Sequence, residues 1–442
     1  MGKSLSLKKG FTINLVGEAN KEIQKAESSK VYALKPDDFY GVNPKLKVKV
    51  GDEVKVGDAI FFDKNMVEVN FPSPVSGEIV EIERGAKRKI LAVKILADKD
   101  LKYADSNIPK SLNSDSVKEA LLASNCWPFI RQRPYNTIAN PSVAPKGIFV
   151  STFDSAPLAP DYDFILGDRK AEFDKGCEVL NILSGGNLHL GKSADSNLSF
   201  SSGEVHTFSG KHPVGNVGVQ IHHISPIQKG EVVWHVNPQD VCIIGELFMT
   251  GKYNPTRILA LTGAEMAKPQ YLEVRQGQSI EKNLSSQISD TGVRVIQGNV
   301  LTGTKSSKTD FVSFYTNQYT AIPEGDHSEF LGWLLPSTEK VSLSRSFFSW
   351  LMPKKEFNLD TNTHGELRPF VVSGEYEKVL PMNIMPVQLL KSILAGDLEK
   401  MEALGIYEVA EEDFALCEFV CSSKIDVQKI LREGLDLMKS EG

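Results

Sequence analysis

Turn residues recur so closely in residues 48–82, VKVGDEVKVGDAIFFDKNMVEVNFPSPVSGEIVEI, that only very short strands fit between them. Gly51-Asp52 and Gly57-Asp58 break the run first. Asp63-Lys64 follows as a further turn candidate, and Pro72-Ser73-Pro74 with Gly77 closes the series. Gly supplies positive φ and Asp supplies local side-chain hydrogen bonds, while the β-branched residues between them favour extended backbone. The segment predicts a small, tightly folded β-sandwich.

The rest of the chain sets wider bounds. At 442 residues it exceeds one ordinary domain, and about three or four are expected. Hydrophobic residues make up 41% and charged residues 24%, enough to fill real cores, so wholesale disorder is excluded. A net charge of −6 argues against nucleic acid as a partner, which demands a basic face. The start, MGKSLSLKKGFTINL, has no sustained apolar stretch of the signal-peptide kind. VCIIGELFM, interrupted by Glu246, is too short to span a bilayer, so no transmembrane segment is expected. Five cysteines (126, 177, 242, 417 and 421) form no disulfide framework and indicate a reducing compartment.

Along the chain, residues 1–100 read as β-rich, with LAVKIL at 91–96 as their last strand. A polar linker leads to a helix opened by Ser114 or Asp115, with Val117, Ala120, Leu121 and Leu122 on one face. GIFVSTFD (147–154) reads as a buried strand and AEFDKGCEVLNIL (171–183) as a helix, which suggests an α/β unit around a parallel sheet over 101–255. RILALTGAEMAKPQYLEVRQGQSIEKNL predicts two strands and a helix begun near Ser279, the pattern of a β-grasp unit over 256–330. A connecting region (331–384) precedes a helical segment (385–442). There Pro386 occupies a first turn, and Val387, Leu390, Ile393, Leu394 and Leu398 recur at helical spacing.

Residues 48–82 resemble a lipoyl- or biotinyl-type barrel-sandwich hybrid, in which a modified lysine stands at the hairpin tip that here holds Lys64. Barrel, Rossmann-like α/β layer, soluble-ligand-binding β-grasp (SLBB-like) unit and helical tail follow in the order found in the flavin- and NADH-binding subunit of respiratory complex I and its relatives in the Rnf complex. The runs LLASNCWPFIRQRPYN, IFVSTFDSAPLAPD, HPVGNVGVQIHHISP, VVWHVNPQDVCIIGELFMTG and EEDFALCEFVCSSK resemble, together and in order, the A subunits of bacterial Na⁺-translocating NADH:quinone reductases. The resemblance implies an α+β multidomain, peripheral subunit on the cytoplasmic face of the inner membrane. Its partners would be the other subunits, a membrane-embedded one above all. The complex would oxidise NADH, reduce ubiquinone or menaquinone in respiratory electron transfer, and export Na⁺. The FAD, 2Fe–2S centre, FMN and riboflavin would reside in the other subunits.

Cofactor ligands are missing where the flavin-binding relatives carry them. Backbone N–H groups approach phosphate closely only in glycine-rich loops entering a helix, and the corresponding stretch Cys126–Tyr135 has no glycine. Gly185-Gly186 and GNVG at 215–218 read as loop punctuation. A [4Fe–4S] cluster needs four thiolates, whereas the tail offers only Cys417 and Cys421, at a spacing that suits buried helix packing. Among the histidines, His222-His223, His235, His206 and His212 invite a metal hypothesis. Neighbours on a strand face opposite ways, however, so His222 and His223 could not share an ion in an extended segment. No catalytic residue and no metal ligand are assigned to this chain.

The remaining candidate is Trp127-Pro128-Phe129-Ile130-Arg131-Gln132-Arg133-Pro134-Tyr135. A quinone head needs an apolar slot and one or two donors, which Trp127, Phe129, Arg131, Arg133 and Tyr135 could supply from a loop stiffened by two prolines. The same composition suits a domain-packing plug or a docking surface for a membrane subunit. The β-grasp unit, FLGWLLP (330–336) and RSFFSWLMP (345–353) are candidate contacts with partners, and the two apolar runs suit a core position equally. Two other classes remain: a stand-alone flavin or iron–sulfur electron carrier, and a lipoyl-type carrier modified at Lys64.

Overall fold

The computed structural model describes residues 2–289, 291–327, 329–332 and 335–442. The β-sandwich is built from a four-stranded sheet, in the order Val31–Leu34, Ile90–Ala97, Gly77–Arg84, Glu53–Val54, and a three-stranded sheet, Pro44–Leu46, Ala59–Asp63, Met66–Pro72. The two Gly-Asp turns are copies of one device. The amides of Asp52 and Asp58 donate to the carbonyls of Lys49 and Lys55, and each Asp carboxylate accepts that same lysine's N–H, at 2.9 and 2.7 Å. Gly51 and Gly57 sit at φ +91° and +93°, as the third position of such a turn requires. At the expected hairpin tip, Lys64 and Asn65 are exposed, and buried Asp63 holds the turn by accepting the amides of Asn43 and Asn65.

A seven-stranded sheet forms the α/β unit, in the order Ser4–Leu7, Glu204–Gly210, Leu188–Ser193, Ile148–Ser151, Val233–His235, Arg131–Arg133, Thr137–Ile138. The first five strands run parallel; Arg131–Arg133 is antiparallel to both of its neighbours. Lys170–Leu183 and Pro238–Thr250 share a core with Ile148, Val150 and Trp234. Phe149 and Val233, one residue out of phase, instead pack with Val219, Ile221 and the C-terminal helices. The β-grasp sheet has six strands, Thr304–Ser306, Val293–Gln297, Gln318–Pro323, Thr256–Thr262, Gln270–Arg275 and Asn20–Lys25, with the short helix Glu281–Ser285. The chain continues into helices Pro386–Leu394, Leu398–Ala403, Glu411–Val420 and Val427–Glu441. No helix among the described residues is long and apolar enough to cross a membrane.

Three local expectations are corrected. Within the β-rich 1–100 stretch, Ser4–Leu7 joins the edge of the α/β sheet and Asn20–Lys25 joins the β-grasp sheet beside Gln270–Arg275. All six residues of Asn20–Lys25 are exposed, so no buried face in the sequence marked which edge they would join. The first helix is capped by Asn113 rather than Ser114 or Asp115. Asn113 Oδ1 accepts the Ser116 amide and Ser116 Oγ accepts the Asn113 amide, both at 2.9 Å, a reciprocal pair that neither alternative makes. His222 and His223 lie on the helix Val217–Ile224, not on an extended segment.

Barrel, α/β unit and β-grasp unit meet in a chain of aromatic rings. Phe71 and Phe39 are 4.4 Å apart between centroids, Phe39 and Phe314 4.8 Å, and Phe314 and Phe129 4.7 Å. Phe314 touches rings of both other units, so truncating it opens a cavity at the three-way contact. Phe314→Ala is expected to cost about 3–5 kcal/mol, and scanning calorimetry should show a lower melting temperature.

Candidate functional site

Trp127–Tyr135 is not a loop. Pro128 opens a 3-10 turn, Trp127–Phe129, which feeds the strand Arg131–Arg133. Trp127, Phe129 and Arg133 are buried, while Arg131 and Tyr135 keep partial exposure. Trp127 donates its indole N–H to the Ala139 carbonyl at 2.7 Å and meets Trp234 edge-on at 5.3 Å. Phe129 reaches the aromatic junction. The Arg131 guanidinium lies 5.2 Å over the Tyr315 ring and donates to Asn136 Oδ1 at 2.7 Å; Tyr315 in turn donates its hydroxyl to the Pro128 carbonyl. Tyr135 faces Tyr407 at 6.4 Å, and its carbonyl accepts from Arg432. The five candidates therefore do not converge on one slot. They reach into the α/β core, the aromatic junction, the β-grasp unit and the C-terminal helices.

Arg133 makes the most consequential of these contacts. It is 0% exposed, and its two terminal nitrogens donate to Asp413 at 3.1 Å and Glu412 at 2.7 Å. Asp413 is equally buried, and its carboxylate also caps its own helix by accepting the Ala410 amide at 3.0 Å. Gly218 makes room for this carboxylate: a Cβ there would lie 2.4 Å from Asp413 Oδ2. The Asn216 amide group donates to the Glu412 carbonyl at 2.9 Å. Across the strand, His235 pairs in register with Arg131. Burial, reinforced by the charges of Arg131 and Arg133, pushes its pKa well below the usual histidine range. A second buried pair, Arg257 with Asp240, ties the α/β unit to the β-grasp sheet. Burial raises the Asp240 carboxyl to about 6 against the downward pull of Arg257.

The other candidates are occupied by internal bonds. His222 Nδ1 is 2.8 Å from Glu408, and its Nε2 accepts the Asn383 amide. His223 Nε2 lies 2.8 Å from the Pro381 carbonyl. Buried His212 is bonded to Ser155 Oγ at 3.1 Å. Cys417 and Cys421 are buried. Cys421, at the C-terminal cap of the helix, receives the Tyr376 hydroxyl at 2.9 Å, and the Cys417 thiol lies 3.9 Å from the Tyr376 carbonyl, so both pack against one residue as the spacing suggests. Burial pushes the Cys417 thiol upward, away from a thiolate ligand. Of FLGWLLP, Trp333 and Leu334 lie outside the described residues; in RSFFSWLMP, Phe348, Trp350 and Leu351 are exposed.

One group missed in the sequence has ligand-like spacing: His189, Glu204 and His206. His189 Nδ1 and His206 Nε2 are 3.0 Å apart, with Glu204 Oε2 at 3.5 and 3.8 Å. Its donor set does not suit a cation. His206 Nδ1 accepts the Lys3 amide at 3.1 Å, which places the ring proton on Nε2, the nitrogen that would have to bind the metal. His189 stands on one strand and Glu204 and His206 on its parallel neighbour, so the sequence gave no spacing signal.

Family profiles agree with this architecture piece by piece. The NqrA N-terminal barrel-sandwich hybrid domain matches residues 5–98, the NqrA second alpha/beta domain residues 112–253, and the NQRA C-terminal domain residues 258–308. The A subunit of the Na(+)-translocating NADH-quinone reductase of Shewanella frigidimarina is 35% identical to the chain, covering 99% of it and 100% of the relative. The chain belongs to this NqrA family. The Alcanivorax borkumensis member is 36% identical with the same coverage, and that of Rhodopirellula baltica 35% over 99% of the chain and 98% of the relative. Among solved structures, an air-oxidized NAD+-reducing [NiFe]-hydrogenase aligns with 74% of the chain and 61% of its own at TM-score 0.37 and 10% identity, too loose a likeness to bear on function.

Two outcomes follow from this NqrA geometry. Arg133→Ala leaves Asp413 buried without its counter-charge and should cost about 3–5 kcal/mol, with faster release of the C-terminal helices in limited proteolysis. His212 is held neutral by burial, its pKa lowered to about 4, so the unfolded chain takes up that proton first. Stability should fall as pH drops from about 6.5 toward 4, by about 2 kcal/mol at pH 5 from this group. The apparent melting temperature of His212→Gln should accordingly fall less than that of the wild type between pH 7.5 and 5.

Proposed function

We propose that the chain serves as the peripheral NqrA component of a membrane complex that oxidises NADH, reduces quinone and translocates Na⁺, on the cytoplasmic side of the membrane. Near-complete coverage of its relatives carries this reading. Within the complex the chain acts as a scaffold without a cofactor of its own. The supporting observation is Arg133, whose guanidinium is taken up by Glu412 and Asp413 rather than left facing a ligand. The limits 1–100, 101–255, 256–330, 331–384 and 385–442 serve as its proposed units, with residues 4–25 lending strands to the second and third.

Trp127–Tyr135 is then the packing element that joins these units. Any direct quinone contact by this stretch narrows to Arg131 and Tyr135, the candidates with partial exposure. Arg131→Ala in the assembled complex is expected to leave the KM for quinone unchanged; a several-fold rise would establish a quinone contact. The purified chain should show no visible absorption band, and a yellow or brown solution would overturn the cofactor-free reading. Exposed Lys64 should carry no added group, so the intact mass should equal that of the bare polypeptide.

A further inference from the structure

We infer that the lobe of residues 329–357 is a surface for anionic lipid headgroups. This deepens the proposed role at a membrane complex and rests on it. Among its described residues the lobe has a single short 3-10 turn, Phe348–Leu351, and segments this long without regular structure commonly carry function. Its shape is nevertheless built. The Phe357 amide donates to the Asn14 carbonyl at 2.9 Å and Asn14 donates to the Pro353 carbonyl at 3.1 Å, which fixes the base to the body of the protein. The Phe348 amide bonds the Ser337 carbonyl at 3.1 Å. Two ion pairs, Lys340 with Glu329 and Lys355 with Glu339, close the lobe on itself.

What this scaffold presents outside those ion pairs is apolar, with two exposed cations, Arg345 and Lys354, and one exposed anion, Glu356. Phe330 is 87% exposed, Leu335 51%, Trp350 49% and Leu351 58%, with Phe348 beside them. Over 329–357, Lys340, Arg345, Lys354 and Lys355 stand against Glu329, Glu339 and Glu356, four cations to three anions, in a chain of net charge −6. Lys340 and Lys355 hold the lobe together. Arg345 lies 5.3 Å over the Trp350 ring and, like Lys354, is exposed. Exposed Trp, Phe and Leu interleaved with free cations match the polar–apolar boundary of a bilayer, where rings settle at headgroup depth and cations meet phosphate. One such cluster gives weak, reversible attachment, which would orient the chain on the membrane while protein contacts hold it.

The test is co-sedimentation of the full chain with phosphatidylglycerol vesicles at low salt, with phosphatidylcholine vesicles as the control. The chain should pellet with phosphatidylglycerol, less so as salt rises, and only weakly with phosphatidylcholine. The triple variant F348S/W350S/L351S should lose at least tenfold in partitioning, and R345Q/K354Q on the order of tenfold, both with the wild-type melting temperature. A wild-type chain that stays in solution would sink the inference, as would a folded triple variant that pellets unchanged. Lobe variants that lose co-purification with the other subunits, where the wild type ignores vesicles, would assign the lobe to a protein partner instead. Failure of the wild-type chain to assemble with those subunits is read separately and would count against the proposed role in the complex alone.

Discussion

The arrangement of the C-terminal helices depends on one guanidinium. Arg133 is carried on a short strand in the α/β sheet and is fully buried, and an unpaired charge in that position would not be tolerated. The acidic first turn of Glu411–Val420 supplies Glu412 and Asp413. Asp413 also caps its own helix, so the pair fixes both the start of that helix and its seat on the sheet. Gly218 completes the fit, because any side chain there would strike the carboxylate. Arg432, from the last helix, adds a bond to the Tyr135 carbonyl and an ion pair to Glu411.

Residues 127–135 make further contacts between units. Trp127 and Phe129 point into the large shared core and the aromatic junction, and Arg131 lies on Tyr315 of the β-grasp unit. A run of aromatic and basic residues is equally suited to a quinone head and to joining domains. In this chain alternate side chains leave the strand toward different neighbours, and the fully buried arginine finds its anions within the same polypeptide. The lobe at 329–357 shows the converse: similar composition, but with its rings and two of its cations turned to solvent.

Much of the fold was legible in the sequence, for local reasons. The Gly-Asp turns specify themselves, because positive φ and an Asp-to-amide bond are satisfied within four residues. Pro386 and the apolar spacing after it announce the helix Pro386–Leu394, and the hairpin tip at Lys64 lies where the turn pattern puts it. Asn20–Lys25 was illegible as part of the β-grasp sheet, since an exposed edge strand has no buried face to declare its partner. The His189–Glu204–His206 group was illegible because the pairing of two parallel strands, Leu188–Ser193 and Glu204–Gly210, brings it together.

By itself, then, the sequence determined the types of the units, their order and the family, since turns, helix faces and family runs are all short-range patterns. Only the tertiary structure decided whether Trp127–Tyr135 is a surface or an interior. That outcome depends on which residues, hundreds of positions away, come to cover it. Nothing in RQRP shows that Glu412 and Asp413 will arrive, yet their arrival turns a candidate binding arginine into the buried counter-charge of a domain contact.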